Sequence, residues 1–398
     1  MTDERESTTT GRAHSPGVTS PTALERFLES GISRRRFLTL SGSSLAAAIL
    51  AACAPSIGRP SSSGSGAASG NLGDTLSLAT WPNYHSDETL KAFTAKTGVQ
   101  INVGVYGSTE EMEAKLRAGN SGIDIAVPSN YAVQGWTKDG LVEALDYSKL
   151  PSVNLKDWDP LFVDQEFDPG NKYTIPKNWG TTGIAFRTDK VTDAPASWKD
   201  FFEMAGTKYT GKTVIVDHQI SSLGSAAVAM GYSFNTIDPG ELKQVEDMLT
   251  ALKPKLYAIS SDVQPPLRNY DSWMTIAWTG DGVQVVRDNP DTAKYVVASD
   301  GGELWVDSWS IAADAPHKAA AYAFLDFILQ PEQSAKDTEF CLFPHANPKV
   351  KDLVSKDVAN NQVIYPPAAQ LQKLTFATSE TYNSPLRAET WARIKSSS

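Results

Sequence analysis

Thr75-Leu76-Ser77-Leu78-Ala79-Thr80-Trp81-Pro82-Asn83-Tyr84 opens the body of this chain. Its first six residues alternate apolar and polar, the period of a half-buried strand. Ser86 is placed to cap a helix running through Lys96 and ending at Gly98. Val99 to Tyr106 reads as the next strand. Ser108-Thr109-Glu110-Glu111 is a capping-box sequence for a helix that stops before Gly119, and Ile123 to Val127 is again an apolar strand. Strand, helix, strand, helix, strand predicts an α/β fold with a parallel sheet and crossover helices.

The alternation continues toward the C-terminus. Strands are expected at Thr182 to Phe186, Thr213 to Asp217 and Met274 to Trp278, with helices at Ser197 to Ala205, Ser222 to Met230 and Pro239 to Leu252. Helices at His317 to Leu329 and near Arg387 to Lys395 make the last part mostly helical. About 325 residues exceed the usual size of one hydrophobic core, so two lobes are expected.

Toward the N-terminus, Pro55 to Gly70 is rich in Ser, Gly and Ala and reads as a flexible tether. Before it, Ser33-Arg34-Arg35-Arg36-Phe37-Leu38 leads into an apolar run that stops at Leu50-Ala51-Ala52-Cys53. The run is too short and too broken by Gly and Ser to span a bilayer stably. It resembles a bacterial twin-arginine export signal ending in a lipobox. That resemblance implies cleavage before Cys53, lipid on its thiol, and a body tethered to the outer face of the cell membrane; the alternative is an ordinary buried N-terminal helix.

Of 398 residues, 41% are hydrophobic and 21% charged, an ordinary globular composition. Removing Cys53 to lipid leaves Cys341 alone, a small buried hydrophobe in Phe340-Cys341-Leu342-Phe343, with no intramolecular disulfide in the mature chain. Formal charge is −10, and residues 1–52 carry six Arg against five acids, which leaves −11 on the remainder. Such a surface argues against nucleic acid as partner and suits solubility or a cationic ligand.

Ligands of open α/β sheets bind beyond the carboxyl ends of the strands. Trp81 and Tyr84 follow the first strand, and Ser129 and Tyr131 follow Val127-Pro128. Asp217 and His218 follow a strand of the second set; Trp278 ends another, with Asp281 just beyond. Trp305 and Asp307 lie two apart on an extended segment and so share a face. Aromatic faces and carboxylates together suit an organic cation, through cation–π attraction and charge-assisted hydrogen bonds. The alternative is that these rings pack the rims of the lobes.

Six stretches, in order, carry a resemblance to the spermidine/putrescine-binding proteins of ABC importers. They are Trp81-Pro82-Asn83-Tyr84, Ile123 to Ser129, Tyr173 to Pro176 with Trp179 to Ile184, Trp278-Thr279-Gly280-Asp281, Gly301 to Ser308 and Ile364 to Ala368. The resemblance implies a two-lobe periplasmic-binding-protein fold, hinge-linked, with the ligand cleft between the lobes. Residues 1–52 would be the signal and 53–73 the lipidated cysteine and linker. Residues 74–180 and 306–351 would form one lobe, and 181–305 with 352–398 the other. Closure on a polyamine or related small organic cation would be read by a membrane permease. A monomer is expected, with no cofactor.

Carried over residue by residue, Trp81, Tyr84, Ser129, Tyr131, Trp278, Trp305 and Asp307 fall on ligand-contacting positions, with Asp307 pairing an ammonium group and facing open solvent until ligand arrives. Asp307 could instead pair with a local lysine or bond Ser308. Asp281 matches an acid of the putrescine-type members, and either contacts ligand or caps a helix. The chain departs from the pattern where an acid usually follows the Thr213 to Asp217 strand: His218 and Ser221 stand there. Asn83 and Phe343 replace an Asp and a Tyr of some members. Fewer carboxylates favour a short diamine, or a cation with a polar or anionic tail, over a long polyamine. His218 is either a donor to a ligand oxygen or a solvated side chain.

Gly206-Thr207-Lys208-Tyr209-Thr210-Gly211-Lys212-Thr213 fits the P-loop pattern but follows a helix and leads into a strand, the reverse of what phosphate binding needs. The five histidines show no metal-ligand spacing, and no nucleophile-elbow motif occurs. A binding lipoprotein that returns its ligand unchanged is therefore expected. The alternatives are a lipid-anchored enzyme or sensor using the same cleft, or a binder of a different ligand.

Overall fold

The computed structural model describes residues 72–397. The paired arginines, Cys53 and the Ser/Gly stretch up to residue 70 lie outside the described residues. Among the described residues no helix is long and apolar enough to cross a membrane.

The strands are β1 (Thr75–Thr80), β2 (Gln100–Val105), β3 (Ile125–Ala126), β4 (Ile175–Arg187), β5 (Thr213–Ile215), β6 (Ala258–Ile259), β7 (Met274–Trp278), β8 (Ala293–Val296), β9 (Gly302–Ile311) and β10 (Leu374–Phe376). They form one sheet in the order β2-β1-β3-β9-β4-β7-β5-β6, with β10 beside β9 and β8 beside β4. β1 pairs parallel with β2 and β3, and β5 pairs parallel with β6 and β7. These are the two strand–helix sets legible in the sequence. The helix Asp87–Thr97 ends where Gly98 takes a left-handed φ of 82°, a conformation glycine adopts without a Cβ penalty. Ser108 Oγ accepts from the Glu111 amide at 3.1 Å, while the Glu111 carboxylate accepts from Gly107 rather than Ser108.

The all-parallel expectation needs correction. β9 runs antiparallel to β3 and β4, and β4 runs antiparallel to β7 and β8. β4 is 13 residues long and β9 is 10, and every residue of both is buried. Strands covered on both faces lose the alternation that marks a half-exposed strand, so their length and direction are not written in a two-residue period.

β4 feeds two separate cores. Its first half places Ile175 and Trp179 in a cluster with Leu76, Leu78, Phe93, Ile125, Trp136 and Trp309. Its second half places Ile184 and Phe186 with Trp198, Phe201, Leu223 and Ile276. Each fully buried side chain of this size contributes about 1.5–3 kcal/mol. The C-terminal helix Pro385–Ser396 completes the second cluster with Trp391 and Ile394. The Trp391 indole and the Lys395 ammonium both donate to Asp217 at 3.0 Å, which turns that strand-end acid to a structural contact. Cys341 is buried, with burial raising its thiol pKa. The P-loop-like stretch runs from the end of the helix Trp198–Gly206 into β5, helix before strand as its order requires.

Candidate functional site

A cavity of about 560 Å³ opens where β1, β3, β7 and β9 present their ends and inner faces. Trp81 and Tyr84 reach it from the turn after β1. Asn83 makes that turn with a left-handed φ of 54°, which a short polar side chain tolerates. Ser129 and Tyr131 come from the start of the helix Asn130–Lys138. Trp278 and Asp281 come from the end of β7 and the helix Thr279–Asp288 after it. His218 stands at the cap of the helix Gln219–Ala229, and Trp305 and Asp307 project from β9. All nine residues expected from the sequence therefore line the same cavity.

Asp307 is only 6% exposed, so the expectation that it faces open solvent is corrected. Ser129 Oγ donates to Oδ1 at 2.5 Å, and Tyr84 Oη lies 2.5 Å from Oδ2. Neither Ser308 nor a lysine is its partner in the structure. Ser129 sits at a helix N-cap position, yet its hydroxyl serves Asp307 instead of the helix amides. Burial raises the Asp307 pKa to about 6 against those hydrogen bonds. The Lys177 ammonium lies behind this wall, donating to the Tyr84 carbonyl at 3.1 Å and sitting 4.2 Å from the Tyr84 ring. It fixes Tyr84 from behind.

Asp281 does not cap its helix. It is the third helical residue, behind Trp278 at the cap position, and it accepts from Gln264 Nε2 at 2.6 Å. Burial raises its pKa to about 6 as well. His218 is bonded on both ring nitrogens: Nε2 to Tyr131 Oη at 3.1 Å and Nδ1 to Ser221 Oγ at 2.9 Å. It is thus a linker between the Asn130–Lys138 helix and the Gln219–Ala229 helix, not a freely solvated side chain. Tyr131 carries the chain on to Thr109 at 3.0 Å, and burial raises its pKa.

The aromatic walls are packed against one another. Trp305 meets Phe343 edge-on at 5.1 Å, and Phe343 lies 5.6 Å from Tyr84. Gly180 faces Trp305 across the β4–β9 pairing, and a Cβ there would strike the indole. Among the described residues no group of three or more His, Cys, Asp or Glu is arranged to hold a metal ion.

Sequence reasoning missed Glu303, Gln264 and Arg268, which also line the cavity. Glu303 was readable: it lies one strand period before Trp305 and two before Asp307, on the same face. Gln264 and Arg268 come from a short helix after β6 that has no strand-end signature. Asp281, Glu303 and Asp307 form no ion pair with Lys, Arg or His among the described residues. The nearby cations are engaged elsewhere, Arg268 with Asp288 at 2.5 Å and Lys177 with Asp337 at 3.9 Å. Unpaired acids among aromatic faces make a receptor for a small cation.

A family model described as bacterial extracellular solute-binding protein matches residues 88–364. The putrescine-binding periplasmic protein SpuD of Pseudomonas aeruginosa is 33% identical over 337 residues, covering 81% of this chain and 92% of that protein. The spermidine/putrescine-binding periplasmic protein of Escherichia coli is 32% identical over 312 residues, covering 78% of this chain and 88% of that protein. Among solved structures, the spermidine/putrescine ABC transporter substrate-binding protein PotD of Streptococcus pneumoniae superposes with a TM-score of 0.69 at 28% identity, over 81% of this chain and 99% of that one.

Proposed function

We propose that this chain, which belongs to the bacterial extracellular solute-binding proteins, captures a short polyamine such as putrescine or spermidine and delivers it to an ABC permease. The observation that carries this reading is the set of acids without ion-pair partners among the described residues, Asp281, Glu303 and Asp307 together with the exposed Asp262, lining an aromatic cavity. An ammonium at Asp307 would donate charge-assisted hydrogen bonds to the carboxylate and lie against the Trp305 indole. An alkyl chain would run between Trp81, Trp278 and Phe343.

Transport requires the cavity to open. Residues 74–180 and 306–351 are assigned to one lobe, and 181–305 with 352–398 to the other. β4 and β9 are then the hinge, crossing near Trp179-Gly180 and Trp305-Val306, where each strand leaves one side for the other. The Tyr131–His218 bond joins the two sides at 3.1 Å and would form on closure. Ligand contacts to both sides shift the population toward the closed state, which the permease reads. The ligand leaves chemically unchanged; no step of catalysis is assigned to the cleft. The mature body is assigned to the outer face of the membrane as a monomer, anchored through lipid on Cys53.

The test is a panel of melting curves with diamines, polyamines, amino acids, sugars and metal ions, with chromatography of the recovered ligand. At 100 times its dissociation constant, a bound amine should stabilise the protein by about 2.7 kcal/mol and be recovered intact. A shift with sugars or metals and none with any amine contradicts the reading, and conversion of the amine contradicts the non-catalytic role.

A further inference from the structure

Glu303, Trp305 and Asp307 are alternate residues of β9, so their side chains share one face, and all three line the cavity. Four residues of strand separate the Cα atoms of Glu303 and Asp307 by about 13 Å. Glu303 is 1% exposed. Both of its hydrogen bonds fall on one oxygen, Oε2, which accepts from Thr182 Oγ1 at 2.5 Å and from Ser221 Oγ at 2.6 Å. No Lys, Arg or His forms an ion pair with it among the described residues. The Arg387 guanidinium feels Glu303 through space, but its own hydrogen bonds go to carbonyl oxygens, those of Phe234 at 3.2 Å and Thr236 at 2.9 Å among them. A buried carboxylate without a contacting countercharge is costly and calls for a cation.

Position 221 is one of the two where the resemblance puts an acid, and Ser221 stands there instead. Its hydroxyl donates to Glu303, whose carboxylate occupies the same corner from the neighbouring strand. We propose, resting on the reading that the ligand is a short amine, that Glu303 is the second charged anchor of the cleft. It receives the distal ammonium of a diamine whose proximal ammonium sits at Asp307. The negative charge has moved from the first turn of the helix Gln219–Ala229 to β9, across a single hydrogen bond. The cleft therefore prefers ligands with two ammonium groups over monoamines and over amines with an anionic tail. Of the two ligand classes that the loss of acids at 218 and 221 favours, this selects the short diamine over the cation with a polar or anionic tail.

The experiment is titration calorimetry of putrescine and of n-butylamine, which carries the same four-carbon chain and only one ammonium. Wild-type protein should prefer putrescine by about ten- to hundred-fold. In Glu303→Gln that preference should collapse to within about threefold of unity while butylamine affinity is retained. Retained butylamine binding also reports that the variant is folded. The double variant Ser221→Glu with Glu303→Ser returns the acid to position 221 and should recover the preference for putrescine, which a merely structural role for Glu303 would not produce. If wild-type protein prefers putrescine and Glu303→Gln keeps the full preference, the anchor assignment is overturned and the amine reading stands. If wild-type protein binds no amine, both fall. If Glu303→Gln does not fold and the double variant folds without the preference, the anchor assignment is again overturned.

Discussion

Replacing Asp307 by Asn keeps the shape of the side chain and removes its charge. The wild-type carboxylate is held between Ser129 Oγ and Tyr84 Oη, each at 2.5 Å, and burial raises its pKa from 3.8 to about 6. At pH 7.5 it is ionised and ready for an ammonium group. Losing one charge-assisted hydrogen bond there should weaken putrescine binding by about 1.5–3 kcal/mol, roughly ten- to hundred-fold. At pH 5 most of the carboxyl is protonated, and each unit below its pKa costs binding about 1.4 kcal/mol to expel the proton. Asp281, also raised to about 6, contributes a second proton where an ammonium reaches it. Wild-type affinity should thus fall about five- to thirty-fold from pH 6 to pH 5, and Asp307→Asn should fall about fivefold less. Stability carries its own sign. The folded pKa lies above the unfolded one, so this group's contribution is fully present below about pH 4 and is lost as pH rises through about 6. At pH 7.5 the ionised form costs about 2–3 kcal/mol; Asn removes that cost but leaves one hydroxyl without its acceptor, about 1–3 kcal/mol. These offset, so apo melting temperatures should nearly coincide at pH 7.5, while at pH 4.5 the variant should melt lower. Calorimetry in buffers of different ionisation enthalpy counts the protons released. Equal putrescine affinity and equal proton release for wild type and variant would refute the role given to Asp307.

Two further outcomes are expected. Gly180→Ala places a methyl against the Trp305 indole; it should cost about 1–3 kcal/mol of stability and weaken putrescine binding, read by urea unfolding and titration, and an unchanged protein would remove Trp305 from the site. Cys53→Ala should move the body from the membrane fraction to the soluble fraction of exported protein without lowering its melting temperature, and wild-type protein without lipid on Cys53 by mass spectrometry would contradict the anchor.

The strand–helix order was legible, and most of the nine expected cavity residues follow a strand end, where alternation stops and aromatic or acidic residues begin; Trp305 and Asp307 lie inside β9 and were read from their two-residue spacing and the family resemblance. Trp81, Ser129 and Trp278 are of this kind. β4 and β9 were only partly legible: Thr182 to Phe186 showed as a strand, but the preceding half, Ile175 to Thr181, is buried on both faces and shows no period. Glu303 lies in the same kind of strand and was readable only through its four-residue spacing from Asp307. The bonding of His218 could not be read at all, since Tyr131 is 87 residues away in sequence. Nor could the burial of Asp307, which depends on Tyr84, 223 residues distant. Partners of that separation are set by the strand order, which local patterns do not encode.

The most direct test of the central claim is a calorimetric titration of the purified protein with putrescine at pH 7.5. The account predicts saturable binding at one site per chain, with affinity falling as pH is lowered through 6 and with amine recovered unchanged. Absence of saturable binding by putrescine and by spermidine, in protein that is folded by its melting curve, would contradict it.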